Sequence, residues 1–185
     1  NNAFDERINN PDYARKLYLI ENSIYGVDIQ PIATQISKLR FFISLVVDQK
    51  SNDKPEENFN IQPLPNLETR FVAANTLIGI EKPDNQGSLF DTKEIHKLEN
   101  ELKKIRHKLF SARTKETKLK YREKDEELRH LIAQTLKENG WPYETAEKLA
   151  TWDPYDQNAS SSFFDPEWMF DIKRGFNMVI GNPPY

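Results

Sequence analysis

The chain has 185 residues, 37% apolar and 30% charged, with a mean hydropathy of −0.77. That length allows one domain with its own core, but so wet a composition requires part of the chain to be solvated helix or loop. Cysteine is absent, which excludes a disulfide framework and a thiolate metal site and is simplest in a reducing cytoplasm. No apolar run approaches about 18 residues and no signal peptide opens the chain, so neither a membrane-spanning nor a secreted protein is expected. His96, His107 and His130 lie in one charged stretch without a ligand spacing; solvated helix histidines are expected there, and no metal site. The net charge of −3 would argue against nucleic acid if charge were evenly spread. It is not.

Residues 11–22, PDYARKLYLIEN, carry Tyr13, Ala14, Leu17, Tyr18 and Ile20 at helical spacing. SIYGVDI follows, a short apolar run that predicts a buried strand closing on Asp28. Pro31 then sits where a first helical turn tolerates it. The helix it opens, PIATQISKLRFFISLVV, places Ile32, Ile36, Leu39, Ile43, Val46 and Val47 on one face. Strand, tight turn and helix make half of a parallel α/β unit. Residues 48–66 are polar and proline-rich, an exposed loop. TRFVAANTLIGI predicts a second buried strand that breaks near Asn75, and residues 81–91 another loop.

From residue 92 the pattern changes. Ile95, Leu98, Leu102, Ile105 and Leu109 form a heptad seam, and Leu119, Leu128, Leu131, Ile132 and Leu136 a weaker one. Two antiparallel helices turning near 111–114 and closing at Asn139-Gly140 are predicted, since glycine is favoured just past a helix end. Around that turn Lys103, Lys104, Arg106, Lys108, Arg113, Lys115, Lys118, Lys120 and Arg122 are accompanied only by Glu116. Such a tip can lie along a phosphate backbone, can be an ordinary solvated pair balanced by acids elsewhere, or can belong to a dimer joined through the heptad seam. Residues 141–170 hold Trp141, Trp152 and Trp168 with little periodicity and read as irregular, packed by aromatics. GFNMVIG predicts a third strand, running into NPPY at 182–185.

Two successive prolines hold the chain extended and leave carbonyls free to accept hydrogen bonds. Beside Asn182 and the flat ring of Tyr185 they make acceptors next to a stacking surface, suited to an exocyclic amine on a planar base. A strand stopped by a proline turn is the plainer alternative. IGNPPY after an apolar strand resembles the catalytic motif of adenine-N6 DNA methyltransferases, and IYGVDI and FVAANTL resemble two cofactor motifs of that family in the right order. The likeness is greatest to fused restriction–modification enzymes of the type II G class, over Ile24–Val47, Arg70–Leu77 and Ser162–Tyr185.

The resemblance implies a class I S-adenosylmethionine-dependent methyltransferase fold, an α/β Rossmann-like sheet. Residues 1–91 and 140–185 would be two parts of its core, with 92–139 an inserted helical hairpin. It implies that Asp28 accepts from the ribose hydroxyls of S-adenosylmethionine, that Ile29 packs on its adenine, and that Asn75 stands where many relatives carry Asp. Asn182 and the Pro183 carbonyl would accept from the target amine, Pro184 would hold the chain extended together with Pro183, and Tyr185 would stack on an adenine flipped out of double-stranded DNA. No glycine-rich cofactor loop precedes Tyr25. The family's first strand is therefore expected to be missing, leaving a sheet gap closed by rearrangement, by a partner chain or by self-association, or not closed at all. With Asn1 in place of Met, an excised piece that is inactive alone is expected. A non-catalytic DNA-binding or assembly module using the hairpin is the alternative.

Overall fold

The computed structural model describes residues 11–81 and 93–181. Helix α1 (Pro11–Asn22) leads through a short turn into strand β1 (Gly26–Asp28), and Pro31 opens α2 (Pro31–Val47) as its first residue. A polar loop with a short 3-10 turn (Pro55–Asn60) reaches β2 (Phe71–Ala73), which pairs parallel with β1 in the register Gly26↔Phe71, Val27↔Val72, Asp28↔Ala73. The chain then enters the antiparallel hairpin of α3 (Lys93–Phe110) and α4 (Lys115–Glu138), followed by α5 (Tyr143–Thr151) and α6 (Pro166–Phe170).

The two strands divide the core by the period-two alternation of a pleated backbone. Phe71 packs with Tyr13, Ile20 and Leu45 of α1 and α2, while Val72 and Ala74 turn the other way. There they join Ile95, Leu102, Leu128, Ile132, Leu136 and the buried Trp141, Trp152 and Trp168. A small parallel sheet is thus layered between one helical pair and the hairpin with its aromatic segment. Gly26 permits the closest approach: a Cβ there would lie 2.4 Å from the Phe71 ring.

Helix ends follow local chemistry. The Thr114 hydroxyl accepts from the Thr117 N–H at 3.2 Å and caps α4. Gly140, at φ +85°, ends α4 in the left-handed region just past Asn139. Asp165 caps α6 through the Trp168 N–H at 2.7 Å.

Four expectations are corrected. The apolar face of α2 does not meet the sheet: Ile32, Ile36, Leu39, Ile43, Val46 and Val47 are 41% to 75% exposed. Thr34, Lys38 and Leu45 turn inward instead, because α2 is apolar on two sides and a two-stranded sheet can cover only one. The third strand is not formed over 175–181, and Met178, Val179 and Ile180 are at least 78% exposed. A strand exists only through a neighbour's hydrogen bonds, and among the described residues no strand lies on the far side of β1. Residues 141–170 are not wholly irregular, since Thr145, Ala146, Leu149 and Ala150 bury one face of α5 in the main core. Finally, Leu119 and Leu131 stand exposed outside the α4 seam, which begins at the fully buried Asp125.

Candidate functional site: the carboxyl ends of the paired strands

The parallel register brings the carboxyl ends of β1 and β2 to one edge of the sheet. Asp28 ends β1, exposed, with Oδ1 accepting from the Gln30 N–H at 2.8 Å. Its backbone carbonyl accepts from the Ala74 N–H at 2.9 Å, which ties the two strand ends together. Ile29 follows with its side chain 58% exposed. An apolar side chain held open beside a carboxylate is a surface for the flat, apolar face of a ligand whose polar edge the carboxylate takes.

Asn75 lies just beyond β2. Its N–H donates to the Ser161 carbonyl at 3.0 Å, and the Ser161 N–H donates to the Ala73 carbonyl at 2.9 Å. Ser161 therefore extends the sheet by one parallel bridge at the point where Asn75 leaves it. The Asn75 Oδ1 accepts from the Leu77 N–H at 3.1 Å, and a carbonyl oxygen retains a second lone pair. The structure brings Asp28, Ile29 and Asn75 to one strand edge, where ligands of open α/β sheets bind. Sequence reasoning missed Ser161, which no local pattern separates from its serine neighbours. Asn182, Pro183, Pro184 and Tyr185 lie outside the described residues.

The hairpin cations divide into two groups. Lys103 pairs with Asp171, Arg106 with Asp125 at 2.8 Å, and Arg122 with Glu68 at 2.8 Å. Arg106 also donates to the Trp168 carbonyl at 2.9 Å, and Arg122 lies over the Tyr155 ring. Lys104, Lys108, Arg113, Lys115 and Lys120 are exposed and Lys118 is half-buried. Among the described residues none of these six is in an ion pair.

Asp125 anchors the paired group. Its carboxylate accepts from Arg106 Nε and, at 2.8 Å, from Arg129 Nε, while Arg129 also donates to the Ala150 and Trp152 carbonyls. Burial opposes ionisation here, but the two guanidiniums outweigh it and hold the Asp125 carboxyl below the usual carboxylate range. Burial, with the Asp125 charge added, pushes the neighbouring Tyr155 phenol well up, so it stays protonated.

Residues 22–185 match the Eco57I restriction-modification methylase family. A Methanocaldococcus jannaschii protein named as a type II restriction enzyme and methyltransferase is 35% identical over 74 residues, 36% of this chain and 5% of that protein. The matched stretch is thus a small part of that relative. No solved structure matches the chain.

Proposed function

The chain belongs to the Eco57I restriction-modification methylase family, and from that premise we propose that it carries part of the site of a DNA adenine-N6 methyltransferase. The observation that carries this reading is the placement of Asp28, Ile29 and Asn75 at one strand edge by the β1–β2 register. Asp28 would hold the ribose hydroxyls of S-adenosylmethionine with the oxygen that Gln30 leaves open. Ile29 would cover the cofactor's adenine, and Asn75 would face its amine with a free lone pair. That donor set fits the group: a carboxylate for a diol, an open apolar side chain for a flat ring, and an amide for a base edge.

Bound S-adenosylmethionine supplies an electrophilic methyl group, and the protein's task is to present the target nitrogen to it. Asn182 and the Pro183 carbonyl would accept hydrogen bonds from the adenine amine and orient its lone pair away from the ring, with the two prolines restricting the backbone. Tyr185 would stack on the flipped base, offsetting part of the cost of leaving the duplex. Positioning and electrostatics suffice for this chemistry, and no cysteine nucleophile is needed. The hairpin, read as an insertion between two parts of the methylase core, would meet the DNA backbone through the six cations that stand outside its ion pairs.

The test is transfer of labelled methyl from S-adenosylmethionine into duplex DNA by the native protein, with Asn182→Ala and Asp28→Ala alongside. Label recovered as N6-methyladenine and lost in Asn182→Ala is the expected result. Label in cytosine refutes adenine specificity. DNA binding without transfer favours the non-catalytic module, in which the hairpin alone is functional.

A further inference from the structure

The backbone around Asn75 is set by a segment that arrives from far along the chain. Trp152 and Phe163 anchor that segment in the main core. Beside them the Ser161 N–H donates to the Ala73 carbonyl at 2.9 Å, and the Ser161 carbonyl accepts from the Asn75 N–H at 3.0 Å. The Phe164 N–H donates to the Ile78 carbonyl at 2.8 Å. Asn75 is therefore held on both sides by bonds to this one stretch.

Between the two anchors, residues 156–160 are exposed. The bond from the Asn158 N–H to Asp156 Oδ1, at 2.9 Å, stays inside the loop. Among the described residues one hydrogen bond ties 156–160 to another element: Gln35 Nε2 donates to the Gln157 carbonyl at 2.7 Å. Elsewhere the loop stands off α2 across a cavity of about 230 Å³, lined by Thr34 and Lys38 of α2 and by Gln157 and Ser160 of the loop. Apolar packing does not hold the loop to α2; the Gln35 amide does.

Gln35 lies in the second turn of α2, whose start is fixed to the end of β1. Asp28 Oδ1 accepts from the Gln30 N–H, Pro31 locks the first helical φ, and the Gln30 carbonyl accepts from the Ala33 N–H at 3.0 Å. Because Gln157 presents a carbonyl, only the amide nitrogen of Gln35 can face it. One side chain thus joins the arm that carries Asp28 and Ile29 to the arm that carries Asn75.

We propose that Gln35 is a positioning residue for the strand-edge site. By holding Gln157 it keeps Ser161 in register with β2, and so fixes where Asn75 presents its second lone pair. The role rests on the reading of this edge as the S-adenosylmethionine site. A bond between exposed partners contributes little to global stability, so its loss is expected at the site and not in the denaturation midpoint.

The test combines calorimetric titration of the native protein with S-adenosylmethionine and amide hydrogen exchange of the ligand-free protein. Gln35→Glu keeps the length of the side chain but cannot donate. It is expected to weaken S-adenosylmethionine binding about three- to tenfold, the span of one net hydrogen bond. Exchange at the Asn75 and Ser161 amides should quicken about tenfold, with the buried Leu136 amide of α4 unchanged. Gln35→Lys, which retains a donor, should bind close to wild type. Adding Gln35→Glu to Asn75→Ala should cost no further affinity, whereas its loss should multiply with that of Asp28→Ala, because residues acting through one another are not additive. Unchanged affinity or exchange in Gln35→Glu, or losses that multiply with Asn75→Ala, overturns the positioning role and leaves the methyltransferase reading standing. Failure of the wild-type protein to bind S-adenosylmethionine overturns that reading, and the positioning role with it.

Discussion

Replacing Asp125 by alanine should be among the most damaging single changes to this chain. The carboxylate is fully buried and accepts from Arg106 Nε and Arg129 Nε, each at 2.8 Å. These bonds join α3 to α4, and through the other nitrogens of the same arginines they reach the Ala150, Trp152 and Trp168 carbonyls. Without Asp125 two guanidiniums face each other in the core with no counter-charge. Removing one member of a buried ion pair costs about 3–5 kcal/mol. For a chain of this size about 2–4 °C of Tm accompanies each kcal/mol, so a fall of roughly 6–20 °C is expected.

Urea denaturation of wild type and Asp125→Ala at pH 7, followed by circular dichroism, measures the difference. The pH dependence provides a second check. The folded-state pKa of Asp125 is depressed, so its stabilisation is present above the unfolded carboxylate value of about 3.9 and is lost as pH falls through the lower folded value. The gap between wild type and variant should therefore narrow in acid, below about pH 4. A loss under about 1 kcal/mol at pH 7, or a gap that widens in acid, would refute the claim that this carboxylate is a charged anchor of the hairpin.

Gly26→Ala should destabilise by about 1–3 kcal/mol through overpacking, since the new Cβ would sit 2.4 Å from the Phe71 ring; an unchanged denaturation midpoint would show that the ring moves freely. Neutralising Lys104, Lys108, Lys115 and Lys120 together should weaken DNA binding and flatten the slope of log K against log salt by about 0.9 for each phosphate no longer neutralised. Arg106→Met should instead lower stability, and a DNA defect without a stability loss would contradict its pairing with Asp125. Asp28→Ala should reduce S-adenosylmethionine affinity of the native protein by about 10- to 100-fold, as removal of a charged hydrogen-bond acceptor implies. Calorimetric titration that finds wild-type affinity would remove Asp28 from the cofactor site.

Features that depend on neighbouring residues are legible in the chain alone. Pro31 opening α2, Thr114 capping α4 and Gly140 ending it depend on residues within a turn of each other, and their chemistry is legible wherever the chain lies. The hairpin seam through Ile95, Leu102 and Leu109 is readable for the same reason, as is the ending of the first strand on Asp28. Features that need a distant partner emerge only once the chain is folded. Arg106 and Arg122 look like members of one basic patch until Asp125 and Glu68 are seen to claim them. Nothing in the charge pattern marks Asp125 as fully buried, because charge patterns carry no record of burial. Lys38 reads as the polar side of an amphipathic helix, yet it lies inward while Ile36 and Ile43 face out. Periodicity shows that α2 has apolar faces, but only the width of the sheet decides which of them is covered. The apolar run at 175–181 shows the same limit, because alternation proposes a strand and only a neighbouring strand can complete one.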